Sequence, residues 1–206
     1  MLRFVITGTD TDVGKTVFAA GLAAHLGARY WKPVQAGLAG ATDSELVAQL
    51  VDGRATILPE AYRLATPCSP HEAARIDCVT IDPARLTLPD GDEALVVEGA
   101  GGALVPLSND LLIADLFARW GLPVVVVART ALGTINHSLL TIEALRARGI
   151  AIVGIAFSGD ENAHSEAAIA RFGQVRHLGR LPHLEPLTAE TLAAAFAAHI
   201  DTSAFA

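Results

Sequence analysis

The chain has 206 residues, 51% of them hydrophobic and 18% charged, which is ample for one well-buried domain, short for two, and unlike a disordered chain. Fifteen Lys and Arg against 22 Asp and Glu leave a net charge of −7, with no basic run to track a phosphate backbone. A single domain over 1–206 is expected, with no nucleic-acid partner.

The first element is a strand, "LRFVIT" (2–7), short, β-branched and apolar. It runs into "GTDTDVGKT" (8–16) and then a helical pattern, "KTVFAAGLAAHL" (15–26). The common phosphate-binding loop has a glycine, then four residues, then Gly-Lys-Ser/Thr. Here Thr9 holds that place and the glycine is Gly8, with Asp10 and Asp12 inside the loop. The strand-loop-helix context is that of a phosphate cradle, in which loop N–H groups and the helix N-terminus face the anion. Lys15 would then reach the β and γ phosphates and the Thr16 hydroxyl would ligate Mg2+.

The next strand, 28–34, ends in "YWKPVQAG", which puts Lys32 at a strand terminus, either as an ordinary exposed end or as part of a site. Helix 43–51 follows, with Thr42 and Glu45 at capping-box spacing. Asp43 has two readings there: a charge favouring the helix start, or a metal ligand. Segment 54–91, with five prolines, reads as loops and one short helix around "SPHEAARI". Strand 93–99 brings Glu98 to its carboxyl end, just before "GAGG". A carboxylate there stands where a Mg2+ ligand would face the loop threonine, so Thr16, Asp43 and Glu98 are the candidate metal ligands. Helix 109–121 and strand 123–129 lead to "LGTINHSLLT", where Asn136 and His137 begin helix 135–149 as a cap and a surface residue or as part of a site. Strand 150–158, helix 163–173, a weaker strand 176–181 and helix 188–200 complete the chain.

Continuous apolar strands alternating with helices predict a doubly wound α/β fold: a mostly parallel sheet with helices on both faces, a three-layer sandwich like that of the P-loop NTPases. Ligands in such sheets bind at the carboxyl ends of the strands. Cys68 and Cys78 have no zinc or disulfide-framework spacing and read as reduced and incidental. The N-terminus enters a strand directly, with no signal-peptide pattern. "WGLPVVVVA" is too short to span a bilayer, so a cytoplasmic protein with no membrane partner is expected.

Taken together, "TGTDTDVGKT", "WKPVQAG", "ATPCSPHEAA", "VVEGAGG", "LGTINH" and "LPHL" resemble the dethiobiotin synthetase family, in the family's order and over almost the whole chain. The resemblance implies an ATP-dependent cyclo-ligase of biotin biosynthesis that converts 7,8-diaminononanoate and CO2 to dethiobiotin, ADP and phosphate. It implies Mg2+, a carbamate, a carbamic-phosphoric anhydride, and a homodimer with sites at the interface. By the same resemblance Lys32 and Lys15 are catalytic. Asp12, Val13, Gly14, Lys15, Thr16, Val17, Asp43, Glu98, Gly99, Ala100, Gly101, Ser158, Gly159, Pro182, His183 and Leu184 hold ATP. Thr11, Lys32, Ala36, Gly101, Gly102 and Asn136 hold the substrate. Three positions depart from the family pattern: Ala36 replaces a hydroxyl residue, Ser158-Gly159 an Asn-Asp pair that reads adenine, and His183 a tryptophan. On this reading Lys32→Ala should stop ring closure and leave folding intact.

Two other readings compete. An amidoligase of the cobyrinic acid a,c-diamide synthetase type would carry a glutaminase domain, for which 206 residues have no room. A partitioning or division-site ATPase switch would carry a second lysine early in the loop, where this chain has Thr-Asp-Thr-Asp, and its last helix lacks the Lys or Arg needed for anionic lipid.

Overall fold

The computed structural model describes residues 2–206. Its elements are β1 (Arg3–Gly8), α1 (Lys15–Leu26), β2 (Arg29–Trp31), β3 (Val34–Ala36), α2 (Asp43–Val51), β4 (Thr56–Leu58), β5 (Tyr62–Leu64), α3 (Pro70–Ile76) and β6 (Leu95–Gly102). They continue with α4 (Ile113–Trp120), β7 (Val124–Arg129), α5 (Thr134–Arg146), β8 (Ile152–Ser158), α6 (Ala163–Gly173), β9 (His177–Leu181) and α7 (Ala189–His199).

Seven strands form one sheet in the order β4-β2-β6-β1-β7-β8-β9, and the pairings in it are parallel. Parallel strands need crossovers, and burial on both faces explains why the central strands are continuously apolar. Alternate residues face opposite layers. Val5, Val97, Val124 and Val126 pack with Phe117, Ile142 and Leu145 of α4 and α5. Ile6, Val96, Val125 and Val127 pack with Phe18, Leu22, Val47 and Phe196 of α1, α2 and α7. The doubly wound three-layer architecture read from the sequence is the one observed.

Two segments differ from the sequence reading. The run 28–34 is not one strand: it stops after Trp31, and β3 leaves the main sheet to pair with β5 in a two-stranded sheet. Pro33 supplies the reason, because it cannot donate to a ladder. Segment 54–91 holds not only the expected short helix, α3, but also two strands: β4 on the edge of the main sheet and β5 beside β3. At three residues each, these strands are too short for a pattern of alternation to stand out. α4 begins at Ile113 rather than 109, with Asp115 closing back on the Leu112 N–H at 3.1 Å.

The outcome for the site is simple. The carboxyl ends of β1, β2 and β6, three adjacent strands, open onto one side of the sheet.

Candidate functional site

The loop after β1 owes its shape to two glycines. A Cβ on Gly8 would fall 2.8 Å from the Asp10 carbonyl and from Val13, so the chain can curl over Gly8 only without a side chain. Gly14 has φ +91° just before α1, and a Cβ there would lie 2.6 Å from Ser158 Oγ. The glycine displaced to position 8 therefore still serves the turn. Asp12 sits at φ +55°, a region that aspartate tolerates better than most residues. The first turn of α1 has no acidic residue to compete for its positive end.

Lys15, in the first turn, is buried and donates from Nζ to the Asp10 carbonyl at 2.8 Å. Burial, more than any other cause, lowers its pKa; the Glu98 charge opposes that and Lys32 reinforces it. Next to it, Thr16 Oγ1 lies 2.9 Å from Glu98 Oε1 and 3.2 Å from Asp43 Oδ1. A hydroxyl carries one hydrogen, so it serves only one of those carboxylates at a time.

Lys32 closes the cluster. Its Nζ donates to Glu98 Oε1 at 3.0 Å and pairs with Asp43. Burial works to lower its pKa, but Glu98 and Asp43 together outweigh that and raise it, so Lys32 is a fixed cation. The alternative of an exposed strand end is thereby removed: Lys32 is 4% exposed and Glu98 0%. The two readings of Asp43 also separate. Thr42 and Glu45 form the capping box themselves, at 2.8 and 3.3 Å, so Asp43 is turned to Lys32 and Thr16.

Two carboxylates and a hydroxyl, all hard oxygens sharing too few hydrogens, fit a Mg2+ that takes its other ligands from water and phosphate. Among the described residues no three His, Cys, Asp or Glu side chains gather into a metal site of their own. Thr16, Asp43 and Glu98 would supply only part of a ligand set, as suits a cation that is also bound to phosphate.

Three cavities border the loop after β1, and the first of them takes in Lys32 and Asp43. One of about 440 Å3 is lined by Thr11, Lys32, Ala36, Asp43, Ala100 and Gly101, with Gln35 and the Pro67–Pro70 segment. A second, also about 440 Å3, is lined by Asp12, Val13, Ser158, Gly159 and His183, with Arg129, Thr130 and Asn162. The third, about 320 Å3, is lined by Thr11, Gly102, Leu104, His137 and Leu140. Several sequence-assigned residues lie apart from these walls. His137, not Asn136, lines the third cavity; Asn136 is exposed near the start of α5. Pro182 and Leu184 flank His183 without lining the second cavity, and Val17 is half-buried in α1. A Cβ on Gly99 would fall 2.9 Å from the Phe117 ring, so its missing side chain makes room for α4.

Two residues escaped the sequence reading. Gln35 Oε1 accepts from the Asp43 N–H at 3.2 Å, tying β3 to the start of α2. Tyr30, buried in β2, donates to Glu98 Oε2 at 2.8 Å. Burial, then the Glu98 charge and hydrogen bond, push its pKa well above the usual value, so the phenol stays a donor. The available signal was the spacing: Tyr30 stands two residues before Lys32 in the run read from the sequence as one strand, which places both on one face.

A family model described as an AAA domain matches residues 3–191. The chain is 66% identical to the ATP-dependent dethiobiotin synthetase BioD of Rhizorhabdus wittichii over 98% of this chain and 97% of the relative. It is 60% identical to that of Sphingopyxis alaskensis over the full length of both, and 59% to that of Agrobacterium fabrum over 99% and 97%. Among solved structures, the septum site-determining protein MinD of Pyrococcus horikoshii, complexed with Mg-ADP, superposes with a TM-score of 0.57 at 17% identity, over 94% of this chain and 85% of that one. The cell division ATPase MinD of Pyrococcus furiosus gives 0.59 at 12%, over 95% and 97%. At those identities the MinD likeness speaks to fold alone.

Proposed function

The chain belongs to the family of ATP-dependent dethiobiotin synthetases, and we propose that its single domain carries out the whole ring closure with the residues gathered around Lys32. It is a ligase that forms dethiobiotin in biotin biosynthesis at the expense of ATP. The substrate is 7,8-diaminononanoate, one amine of which takes up CO2 as a carbamate. A carbamate oxygen attacks the γ-phosphorus and ADP leaves, giving a carbamic-phosphoric anhydride. The neighbouring amine then attacks the carbamoyl carbon, loses a proton, and expels phosphate as the ring closes. A carbamate is a poor electrophile, and phosphorylation supplies the missing leaving group.

What supports the assignment of residues is the convergence of Thr16, Lys32, Asp43 and Glu98 beside Lys15, next to a cavity that Lys32 and Asp43 line. Asp12–Val17 cradle the phosphates, and the cavity at Ser158, Gly159 and His183 takes the base, with Pro182 and Leu184 behind it. Ala100 and Gly101 adjoin the nucleotide, while Thr11, Ala36, Gly101 and Gly102 adjoin the diamine. Mg2+, held by Thr16, Asp43 and Glu98, would offset charge on the β and γ phosphates. Lys15 faces those phosphates, and Lys32 holds the carbamate against the γ-phosphate, so two anions that repel meet between two cations. The deciding experiment follows phosphate release with MgATP and bicarbonate, with and without the diamine, alongside dethiobiotin by mass spectrometry. Joint appearance only with the diamine is expected; phosphate release indifferent to it would overturn the reading.

The base cavity lacks an amide side chain at position 158, and the Asn162 amide on its wall is already engaged by the Thr130 carbonyl and the Ser165 N–H, so little side-chain hydrogen bonding is left to read the base. CTP and GTP are expected to support turnover within about 100-fold of ATP, as when no buried polar partner is left unpaired by the wrong base. A preference of 10,000-fold or more, measured as kcat/KM ratios, would count against that.

A homodimer completes the site in this reading. Leu104, Leu132, Ile135 and Leu140 are exposed, Leu132 entirely, and two of them rim the third cavity. A second copy over this face would cover them and bring Asn136 to its partner's substrate. Leu132→Asp is expected to give monomers in sedimentation and at least a tenfold loss of turnover; a fully active monomer would contradict it. The proposed address is the cytoplasm. Among the described residues no helix is long and apolar enough to cross a membrane.

A further inference from the structure

We propose that Tyr30 is a positioning residue that fixes the orientation of the Glu98 carboxylate from beneath the site. The inference rests on the reading of Glu98 as a Mg2+ ligand and extends it to a residue that touches neither nucleotide nor diamine.

β2 and β6 run parallel with Tyr30 beside Val96 and Trp31 beside Val97. Lys32 follows β2 directly, and both its side chain and that of Tyr30 reach the Glu98 carboxylate. Glu98 is fully buried, and its two oxygens are divided. Oε1 receives Lys32 Nζ at 3.0 Å and lies 2.9 Å from Thr16 Oγ1. Oε2 receives Tyr30 Oη at 2.8 Å, its one hydrogen-bond partner among the described residues. Tyr30 is itself fully buried among α1 and β6 side chains, so the phenol approaches from the side of the core.

That division fixes the rotation of the carboxylate. Without the phenol, Oε2 is a charged oxygen in the core with no donor, which is costly. The carboxylate relieves this by turning Oε2 toward Lys32 and Thr16, and that turn carries Oε1 away from Thr16. The three oxygens offered to the cation then no longer converge. Partners that orient metal ligands in this way change metal affinity by about 10- to 100-fold when removed.

The test titrates Mg2+ into the full chain with a non-hydrolysable ATP analogue and reads analogue binding by calorimetry, so that turnover plays no part. Tyr30→Phe is expected to raise the Mg2+ concentration for half-maximal tightening about 10-fold while leaving metal-free analogue binding unchanged. In a Glu98→Gln background the same substitution should add nothing, because Tyr30 acts through Glu98. An unshifted Mg2+ dependence, or equal weakening with and without Mg2+, would overturn the proposal, the latter marking Tyr30 as simple packing. If Glu98→Gln alone leaves the Mg2+ dependence untouched, the ligand reading itself fails; if Glu98→Gln shifts it and Tyr30→Phe does not, only the positioning role fails. Should Tyr30→Phe not fold, Tyr30→Met, with a flexible apolar side chain, decides by the same outcomes.

Discussion

Lys32→Ala is expected to abolish dethiobiotin formation and, in the same variant, to lower the stability of the fold by about 3 to 5 kcal/mol. The second half departs from what the sequence suggested, where Lys32 at a strand end looked removable without structural cost. In the structure its ammonium lies between Glu98, which has no exposure at all, and Asp43. Taking it away leaves a buried carboxylate with hydroxyl donors but no cation, and breaking a buried pair by removing one partner is the costly way to break it. The two losses can be separated. Lys32→Met combined with Glu98→Gln removes both charges and should recover most of the stability in urea unfolding, while product by mass spectrometry stays absent. Wild-type stability in Lys32→Ala would show that the pair contributes little to the fold; any turnover near wild type would remove Lys32 from the chemistry.

How much of this was readable beforehand depended on how local the signal was. The main-sheet core strands and the long helices announce themselves through continuous β-branched runs and helical spacing, and the doubly wound sheet follows. The phosphate loop was legible because glycine, lysine and threonine sit within nine residues of one another. β3, β4 and β5 were not legible, since three-residue strands carry no period and exist here through pairing. The same limit hid Tyr30 and Gln35. Each matters through a hydrogen bond to a residue distant in sequence or in another element, Tyr30 to Glu98 across 68 positions and Gln35 to the start of α2. Asp43 shows the converse case: its place at the start of α2 was read from sequence, but only the structure shows it paired with Lys32.

The fold is shared with MinD proteins at 12 to 17% identity, so the sheet and loop alone do not choose a chemistry. In this chain a second buried lysine, Lys32 just after β2, is set against two carboxylates. A lysine in the loop would face the nucleotide alone. Lys32, just past the end of β2, borders instead the cavity that Thr11 and Gly101 also line, the one proposed for the diamine.

Glu98→Gln probes that arrangement at its centre, and its effect should fall on the metal rather than on the fold. The amide keeps the volume of the carboxylate and can keep its contacts. Its oxygen accepts from Lys32 and Thr16, and its N–H donates to Tyr30 Oη, since a phenol oxygen accepts as readily as its O–H donates. Lys32 retains Asp43 as counter-charge. The variant should therefore unfold within about 1.5 kcal/mol of wild type, the net worth of one hydrogen bond. The proposed cation site would lose one of its two negative charges, and Mg2+, which demands hard and near-ideal ligands, tolerates that poorly. Turnover at fixed Mg2+ is expected to fall by about 100-fold, with part of the loss recovered as Mg2+ is raised. The check is a Mg2+ titration of phosphate release in both proteins. A folded Glu98→Gln enzyme with wild-type turnover and an unshifted Mg2+ requirement would mean that Glu98 serves only to hold Lys32 in place.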